Sequence, residues 1–305
     1  MSVAGDLKTK KTAQNRASSR IAPWLPWTDR SGRTSLLKVV FFIICCAPAV
    51  YMAFVWWMDK LPNMTTFVVK ESGEWSMRFV VAALAISPLR RIAKLNKLIL
   101  VRRMLGLTSL FYGCVHLWFY FTSERFNWPF ILEGALTAPF LTTGYIALLM
   151  MIILGLTSND LSVRLFGTNG WRRLHWAIFP AAVLSLVHFI LERRTDGDEI
   201  ALLSGVILYL IVYRVMRNYN LPTGPVVLIG IAPLIALATA GMEMAFYKFA
   251  TGVHAQTILW LNVTFAEGMR PAWWVLIACL CVALIMIVKD RMAPAQPGRA
   301  RRARA

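Results

Sequence analysis

Residues 104–122 read MLGLTSLFYGCVHLWFYFT, an apolar stretch that contains one histidine, His116. A helix of this length is close to 30 Å long, which is about the thickness of the hydrocarbon core of a bilayer. In lipid the stretch must be helical, because no water is present to satisfy the backbone polar groups. We therefore predict a membrane-spanning helix here, with an ionisable side chain inside it.

The composition of the whole chain extends this prediction. Of 305 residues, 58% are hydrophobic and 16% are charged, whereas soluble domains are about 45–50% apolar and about 25% charged. Eight stretches are long and apolar enough to cross a membrane, at about residues 36–58, 75–92, 104–122, 139–157, 174–191, 199–216, 225–246 and 271–288. The predicted fold class is all-α, a polytopic transmembrane helix bundle with a six-span core and two extra C-terminal spans.

The distribution of charge predicts the orientation of the bundle. The net charge is +18, which would suggest nucleic acid as a partner of a soluble protein. Here the cations are concentrated on one side of the predicted membrane. If the N-terminus is cytoplasmic, 25 of the 33 Lys and Arg residues lie on the cytoplasmic side, and 11 of the 15 acidic residues lie on the opposite side. The positive-inside rule therefore places both termini in the cytoplasm. An even number of spans requires the same, and no nucleic-acid partner is expected.

Three of the four histidines lie in apolar, helix-length stretches: His116, His175 and His188. An ionisable group at membrane depth is costly and suggests a functional site, and imidazole is a common axial ligand of haem iron. His116 follows Arg103 by 13 residues and His188 follows Arg173 by 15. On continuous helices these separations are about 20 and 22 Å. The two imidazoles are therefore predicted at similar depth, as a bis-histidine haem site.

His175 precedes His188 by 13 residues, so we expect it about 20 Å nearer the cytoplasm. A second haem at that level would need a ligand from residue 102 or 103. Both positions are arginines, which suit a haem propionate or a phosphate rather than iron. We therefore predict one haem, with His175 as an alternative ligand or as the edge of a cytoplasmic-side cofactor site. The competing interpretation is that the histidines only form hydrogen bonds between helices.

The strings around these histidines resemble those of a known family. They are Ser87-Pro-Leu-Arg-Arg91, then Arg102-Arg-Met-Leu-Gly-Leu107 before His116, and Trp171-Arg-Arg-Leu-His175 before His188. In order and spacing they resemble the MsrQ (YedZ) family, the haem-binding membrane subunits of bacterial protein-methionine-sulfoxide reductase systems. That family belongs to the wider ferric-reductase-like transmembrane group.

This resemblance implies a function. His116 and His188 would be the metal ligands of a b-type haem (heme b), with His175 as the third family histidine, and flavin mononucleotide (FMN) stays open as a second cofactor. Electrons would come from a cytoplasmic flavin reductase or the quinone pool. They would leave to a periplasmic molybdopterin-containing catalytic subunit that reduces oxidised methionines. The chain would lie in the bacterial inner membrane and carry no catalytic residues of its own.

Arginines near the predicted cytoplasmic face are further candidates for cofactor binding. They are Arg90, Arg91, Arg102, Arg103, Arg172 and Arg173. They could hold a flavin phosphate, haem propionates or a docking reductase. Anchoring in membrane lipid headgroups is the simpler explanation for the same residues.

The predicted organisation has four parts. Residues 1–34 form a basic cytoplasmic arm, 35–217 the ferric-reductase-like haem-binding domain, 218–289 a two-span extension, and 290–305 a disordered basic tail. The resemblance covers about residues 35–217, so the extension has no function assigned to it.

Two other functions stay open. One is a stand-alone membrane ferric or quinone reductase. The other is a transporter or scaffold without cofactor. The sequence shows neither paired acidic residues in mid-span nor an evident inverted repeat, which disfavours this alternative.

Overall fold

A computed structural model of the chain describes residues 27–28, 34–58, 61–192 and 197–292. Apart from an isolated bridge between Thr28 and Thr34, the elements formed by these residues are helical. The predicted all-α fold class is confirmed. Most of the basic arm predicted at 1–34 lies outside the described residues, as does the tail from residue 293 onward.

The described residues form eleven α-helices. They are α1 Leu36–Met58, α2 Met64–Ile92, α3 Ile99–Ser123, α4 Trp128–Thr137, α5 Pro139–Leu156, α6 Asp160–Leu174, α7 Ile178–Leu191, α8 Gly197–Asn218, α9 Pro225–Phe246, α10 Ala255–Thr264 and α11 Pro271–Arg291. A 3₁₀ turn at His175–Ala177 links α6 to α7, and a π turn at Tyr247–Thr251 follows α9. Helices α5, α9 and α11 begin at proline. Proline is favourable there because an N–H at the first helical position would have no acceptor within the helix.

Seven helical segments of the described residues are long and apolar enough to cross a membrane, whereas the sequence predicted eight. The difference is α2, which begins at Met64 rather than near residue 75 and is 29 residues long. Its first half carries charges one helical turn apart: Glu74 lies 3.0 Å from Arg78 and 3.8 Å from Lys70. Such pairs stabilise the helix beyond the apolar stretch, and the same charges lower its mean hydropathy.

The chain divides into two compact units, of which the first comprises Met1–Phe79 and Ile99–Asn127. In this unit Pro48 interrupts the hydrogen bonding of α1. The Tyr112 hydroxyl of α3 occupies the gap, donating to the Cys45 carbonyl at 2.8 Å and accepting from the Ala49 N–H at 3.0 Å. A side chain inserted in this way fixes α1 against α3, one turn before His116.

Helices α2 and α3 of the first unit meet through small residues. The Ser76 hydroxyl donates to the Ser109 carbonyl at 2.9 Å, and the Ser109 hydroxyl donates to the Ser76 carbonyl at 2.7 Å. Small side chains allow helix backbones in a membrane to approach closely. Since Val69 of α2 contacts His116 of α3, the two helices run antiparallel over these residues.

The second unit comprises Val80–Leu98 and Trp128–Ala305. Helix α5 packs against α7, and α8 packs against both α9 and α11. Two buried clusters lie where α8 packs against α9 and α11. One joins Tyr209 of α8 to Ile235 and Val275, and the other joins Tyr213 to Leu228 and Ala283. The predicted two-span extension is therefore packed directly on α8.

Candidate functional site

His116 is half-buried on α3 and is oriented by the backbone of α2. Its Nδ1 lies 2.8 Å from the carbonyl oxygen of Val69. A carbonyl oxygen only accepts, so Nδ1 carries the proton and Nε2 carries the lone pair in neutral imidazole. This tautomer is the one in which Nε2 binds a metal, with the other nitrogen held by an outer hydrogen bond.

His188 has the same arrangement in the second unit. It is half-buried on α7, and its Nδ1 lies 2.6 Å from the carbonyl oxygen of Phe140 on α5. The Phe140 ring also stacks near the imidazole, with ring centroids 6.4 Å apart and planes inclined by 19°. The same argument places the proton on Nδ1 and the lone pair on Nε2 in neutral imidazole.

His116 lies in the first unit and His188 in the second, so their sharing of one iron stays a prediction. The predicted depth of His116 is supported by the continuity of α3 from Ile99 to Ser123. The 22 Å rise from Arg173 to His188 assumed one continuous α-helix, and this assumption is wrong. The α-helix stops at Leu174, because a 3₁₀ turn intervenes before α7 begins at Ile178.

His175 lies in that 3₁₀ turn and has different surroundings. Its Nε2 is 3.3 Å from the Thr157 hydroxyl, and its ring stacks on Trp171 with centroids 3.9 Å apart. The Trp171 indole N–H donates to the Thr157 carbonyl at 2.9 Å, which holds the stacked pair against the end of α5. His175 thus directs Nε2 at a hydroxyl, whereas His116 and His188 direct Nδ1 at a backbone carbonyl.

The predicted cofactor-binding arginines fall into both units. Arg102 and Arg103 lie near the start of α3, in the first unit, whereas Arg172 and Arg173 lie exposed in the last turn of α6, in the second. Cations in a last turn interact favourably with the helix dipole. This interaction is sufficient to explain Arg172 and Arg173 without a cofactor. Their convergence on one cofactor stays a prediction.

A further basic residue, Arg214 of α8, was not singled out in the sequence. Its guanidinium lies 4.6 Å from the centroid of Phe179 and 5.1 Å from that of Trp176. Since Trp176 is the neighbour of His175, this cation–π contact ties α8 to the 3₁₀ turn.

The extension contains a buried charged network that the sequence did not reveal. Glu243 of α9 is fully buried, and its Oε1 accepts from Nε of Arg270 at 2.8 Å. The Asn262 amide donates to Oε2 at 3.1 Å, and Asp198 lies 2.8 Å from the Arg270 guanidinium. Burial alone lowers the pKa of Arg270, but hydrogen bonds with Glu243 and Tyr247 outweigh it and raise that pKa above its usual value. His254 is exposed just before α10.

Comparison with known proteins places these residues in a family. The ferric reductase like transmembrane component model matches residues 72–186, which include His116 and His175 and end just before His188. The haem-binding subunit MsrQ of Azospira oryzae is 35% identical over 195 residues, covering 63% of this chain and 83% of that protein. The chain belongs to the MsrQ family.

Other MsrQ proteins match in the same way. That of Herminiimonas arsenicoxydans is 31% identical over 188 residues, covering 59% of this chain and 85% of the relative. That of Xanthomonas euvesicatoria pv. vesicatoria is 38% identical over 150 residues, covering 49% and 68%. Each of these names describes a haem-binding subunit of protein-methionine-sulfoxide reductase. No solved structure matches the chain.

The donor chemistry of the described residues suits haem iron. No three His, Cys, Asp or Glu side chains come together in the described part of the chain, as a typical protein-ligated zinc site would require. A porphyrin supplies four ligands to its iron, so two neutral imidazoles complete the set. His116 and His188 meet this requirement in tautomer, and both have the outer hydrogen bond that ligating histidines usually make.

Proposed function

We propose that this MsrQ-family chain is a b-type haem electron-transfer subunit with His116 and His188 as the ligands of the haem iron. The observation that carries the proposal is a shared contact: each histidine directs Nδ1 at a backbone carbonyl of a neighbouring helix. Each histidine has the outer hydrogen bond that ligating histidines usually make, which supports a role for both as haem ligands.

The bound haem would supply one-electron redox chemistry. The work of the chain is to hold and tune that group. The carbonyls of Val69 and Phe140 accept from Nδ1–H and so make Nε2 a stronger electron donor. A stronger donor favours ferric iron and lowers the reduction potential. The apolar surfaces of α3 and α7 would keep water away from the ligands.

The proposed route runs from the cytoplasmic side to the periplasm of a bacterial inner membrane. A cytoplasmic flavin reductase or the quinone pool would donate electrons, and a periplasmic molybdopterin-containing subunit would use them to reduce methionine sulfoxide. Arg102, Arg103, Arg172 and Arg173 would then lie at the entry side, where FMN or haem propionates could bind.

Contacts within each unit support the topology that this route needs. In the second unit Lys94 pairs with Asp290 at 2.9 Å, and both were assigned to the cytoplasmic side. Asp198 pairs with Arg270, and both were assigned to the outside. In the first unit α2 lies antiparallel beside α3 from Ser76–Ser109 to Val69–His116. We infer that α2 also crosses the membrane, which gives eight spans and two cytoplasmic termini.

The proposal is tested with purified chain in liposomes. We expect a reduced-minus-oxidised spectrum of low-spin b-type haem. Haem reduced by a quinol should be reoxidised in the presence of the periplasmic catalytic subunit and methionine sulfoxide together, and slowly with either alone. Rapid reoxidation by a ferric chelate without the partner would favour a stand-alone reductase, and a spectrum without haem would refute the proposal.

His175→Ala is expected to retain more haem than an alanine substitution at His116 or His188. The reason is that the His175 Nε2 contacts Thr157 and its ring is held by Trp171. Haem per protein, measured by pyridine haemochrome, provides the comparison, and Thr157→Val controls for loss of the hydroxyl contact. Equal haem loss in all three histidine variants would instead indicate that His175 ligates a haem.

A further inference from the structure

Two glycines inside helices lie against the two candidate ligands. A Cβ built on Gly73 of α2 would stand 2.8 Å from His116 Nδ1 and 3.1 Å from its Cε1. A Cβ built on Gly144 of α5 would stand 2.8 Å from His188 Nδ1 and 3.0 Å from its Cε1. Real Cβ atoms essentially never lie within 3.0 Å of such atoms. Each imidazole therefore occupies the space that a side chain would fill at the glycine.

The glycine and the accepting carbonyl have the same spacing in both places. Val69 precedes Gly73 by four residues, and Phe140 precedes Gly144 by four. Four residues is about one helical turn, so the carbonyl and the glycine lie on one face of the helix. The imidazole thus rests on bare backbone while its Nδ1 reaches the carbonyl one turn earlier. The arrangement recurs on two different helix pairs, α2 with α3 and α5 with α7.

Other helical glycines face different surroundings, and close contact is not confined to the histidines: a Cβ built on Gly134 of α4 would stand 2.9 Å from Leu141, and one built on Gly197 of α8 would stand 2.7 Å from Phe246. Built Cβ atoms on Gly106 of α3 and Gly230 of α9 meet nothing within 4 Å. Gly205 of α8 is tightly packed, but against Thr239 and Val275 of the extension. A helical glycine costs about 1 kcal/mol relative to alanine, so its presence beside both ligands needs a compensating role.

We propose that Gly73 and Gly144 are positioning residues for the two axial imidazoles, which rests on the haem ligation proposed above. Their missing side chains let the backbones of α2 and α5 approach the rings closely. This contact, together with the carbonyls of Val69 and Phe140, fixes the rotation of each ring and the direction of its Nε2. Each glycine thereby sets the orientation of the ligand plane beside it and tunes the potential of the iron.

The test substitutes alanine at each glycine in the full-length chain. Gly73→Ala and Gly144→Ala are expected to weaken haem binding by about 10-fold, the lower range for loss of an outer contact to a ligating histidine. The haem that remains should have altered low-spin EPR g-values and a shifted midpoint potential. Gly106→Ala and Gly230→Ala are the matched controls and should keep the wild-type values. Wild-type g-values and potential in both test variants would overturn the inference.

A second measurement separates ring displacement from general misfolding. In the His116→Ala background no ring opposes Gly73, so Gly73→Ala should no longer lower the thermal stability and should slightly raise it through helix propensity. Gly205→Ala, which disturbs packing away from the histidines, should lower stability in both backgrounds. An equal loss of stability from Gly73→Ala in both backgrounds would contradict the inference.

The two proposals fail in different ways. If His116→Ala keeps the wild-type haem spectrum, the proposed ligation is wrong. If His116→Ala loses haem while Gly73→Ala behaves like Gly106→Ala, the ligation stands and the positioning role of the glycine is wrong.

Discussion

Replacing either His116 or His188 by alanine is expected to abolish the low-spin haem spectrum of the purified chain. Low-spin iron in a b-type site needs two strong axial ligands, and each substitution removes one imidazole. The carbonyls of Val69 and Phe140 are not expected to replace it, because they contact Nδ1 and not Nε2, the proposed ligand atom. Reduced-minus-oxidised absorption and EPR of the purified variants provide the measurement.

The chain offers a matched control for this experiment in its fourth histidine. His254 is exposed at the start of α10, outside the candidate site. His254→Ala should therefore keep the wild-type spectrum and the wild-type haem content. A wild-type spectrum in either the His116→Ala or the His188→Ala variant would exclude that residue as an axial ligand.

The spans that the sequence predicted best are those with sharp physical boundaries. The bounds of α1 and α9 agree with the predicted 36–58 and 225–246. Helix α9 begins at Pro225, and α11 likewise begins at Pro271. Helix α2 was predicted poorly, because ion pairs such as Glu74–Arg78 extend it where hydropathy falls.

The break between α6 and α7 was missed for a different reason. Residues 174–191 are apolar apart from His175, Ser185 and His188, so periodicity could not distinguish a 3₁₀ turn from an α-helix there. Pro180 lies in the first turn of α7. A proline in that position is compatible with a helix beginning at Ile178, since N–H groups of a first turn have no intrahelical acceptor.

Only part of the candidate site could be predicted from the sequence. His116 and His188 stand out because ionisable residues are rare in apolar spans. The residues that accept their hydrogen bonds, Val69 and Phe140, do not stand out in the sequence, because every residue has a backbone carbonyl. Gly73 and Gly144 carry a weak signal as glycines inside helices, but which side chain they face depends on tertiary packing.

The local sequence did not predict the Glu243–Arg270 network either. The two residues are 27 positions apart, and Glu243 lies at the end of a span where an exposed carboxylate would be ordinary. The structure instead makes Glu243 fully buried, with Arg270 and Asn262 as its described partners. Removing a charge from water is costly, so the pair is stable only while both charges are present.

Arg270→Met is therefore expected to destabilise the protein by about 3–5 kcal/mol, because it leaves the buried Glu243 carboxylate without a cation. The apparent melting temperature in detergent should fall by on the order of 10 °C. Glu243→Gln should cost less, since Arg270 would keep its contact with Asp198 at 2.8 Å. A glutamine amide could also donate to Asn262 Oδ1, which is buried without a hydrogen-bond partner among the described residues.

The double variant Glu243→Met/Arg270→Met provides the decisive comparison. Replacing both charges by apolar side chains removes the uncompensated carboxylate, so stability should recover to near the wild-type value. Haem content measured below the melting temperature should stay unchanged in all three variants, because the network lies in the extension and contacts neither His116 nor His188 through the described hydrogen bonds. If Arg270→Met melted like the wild type, the buried pair would contribute nothing to stability. If the double variant were as unstable as Arg270→Met, the loss would come from packing rather than from an unpaired charge.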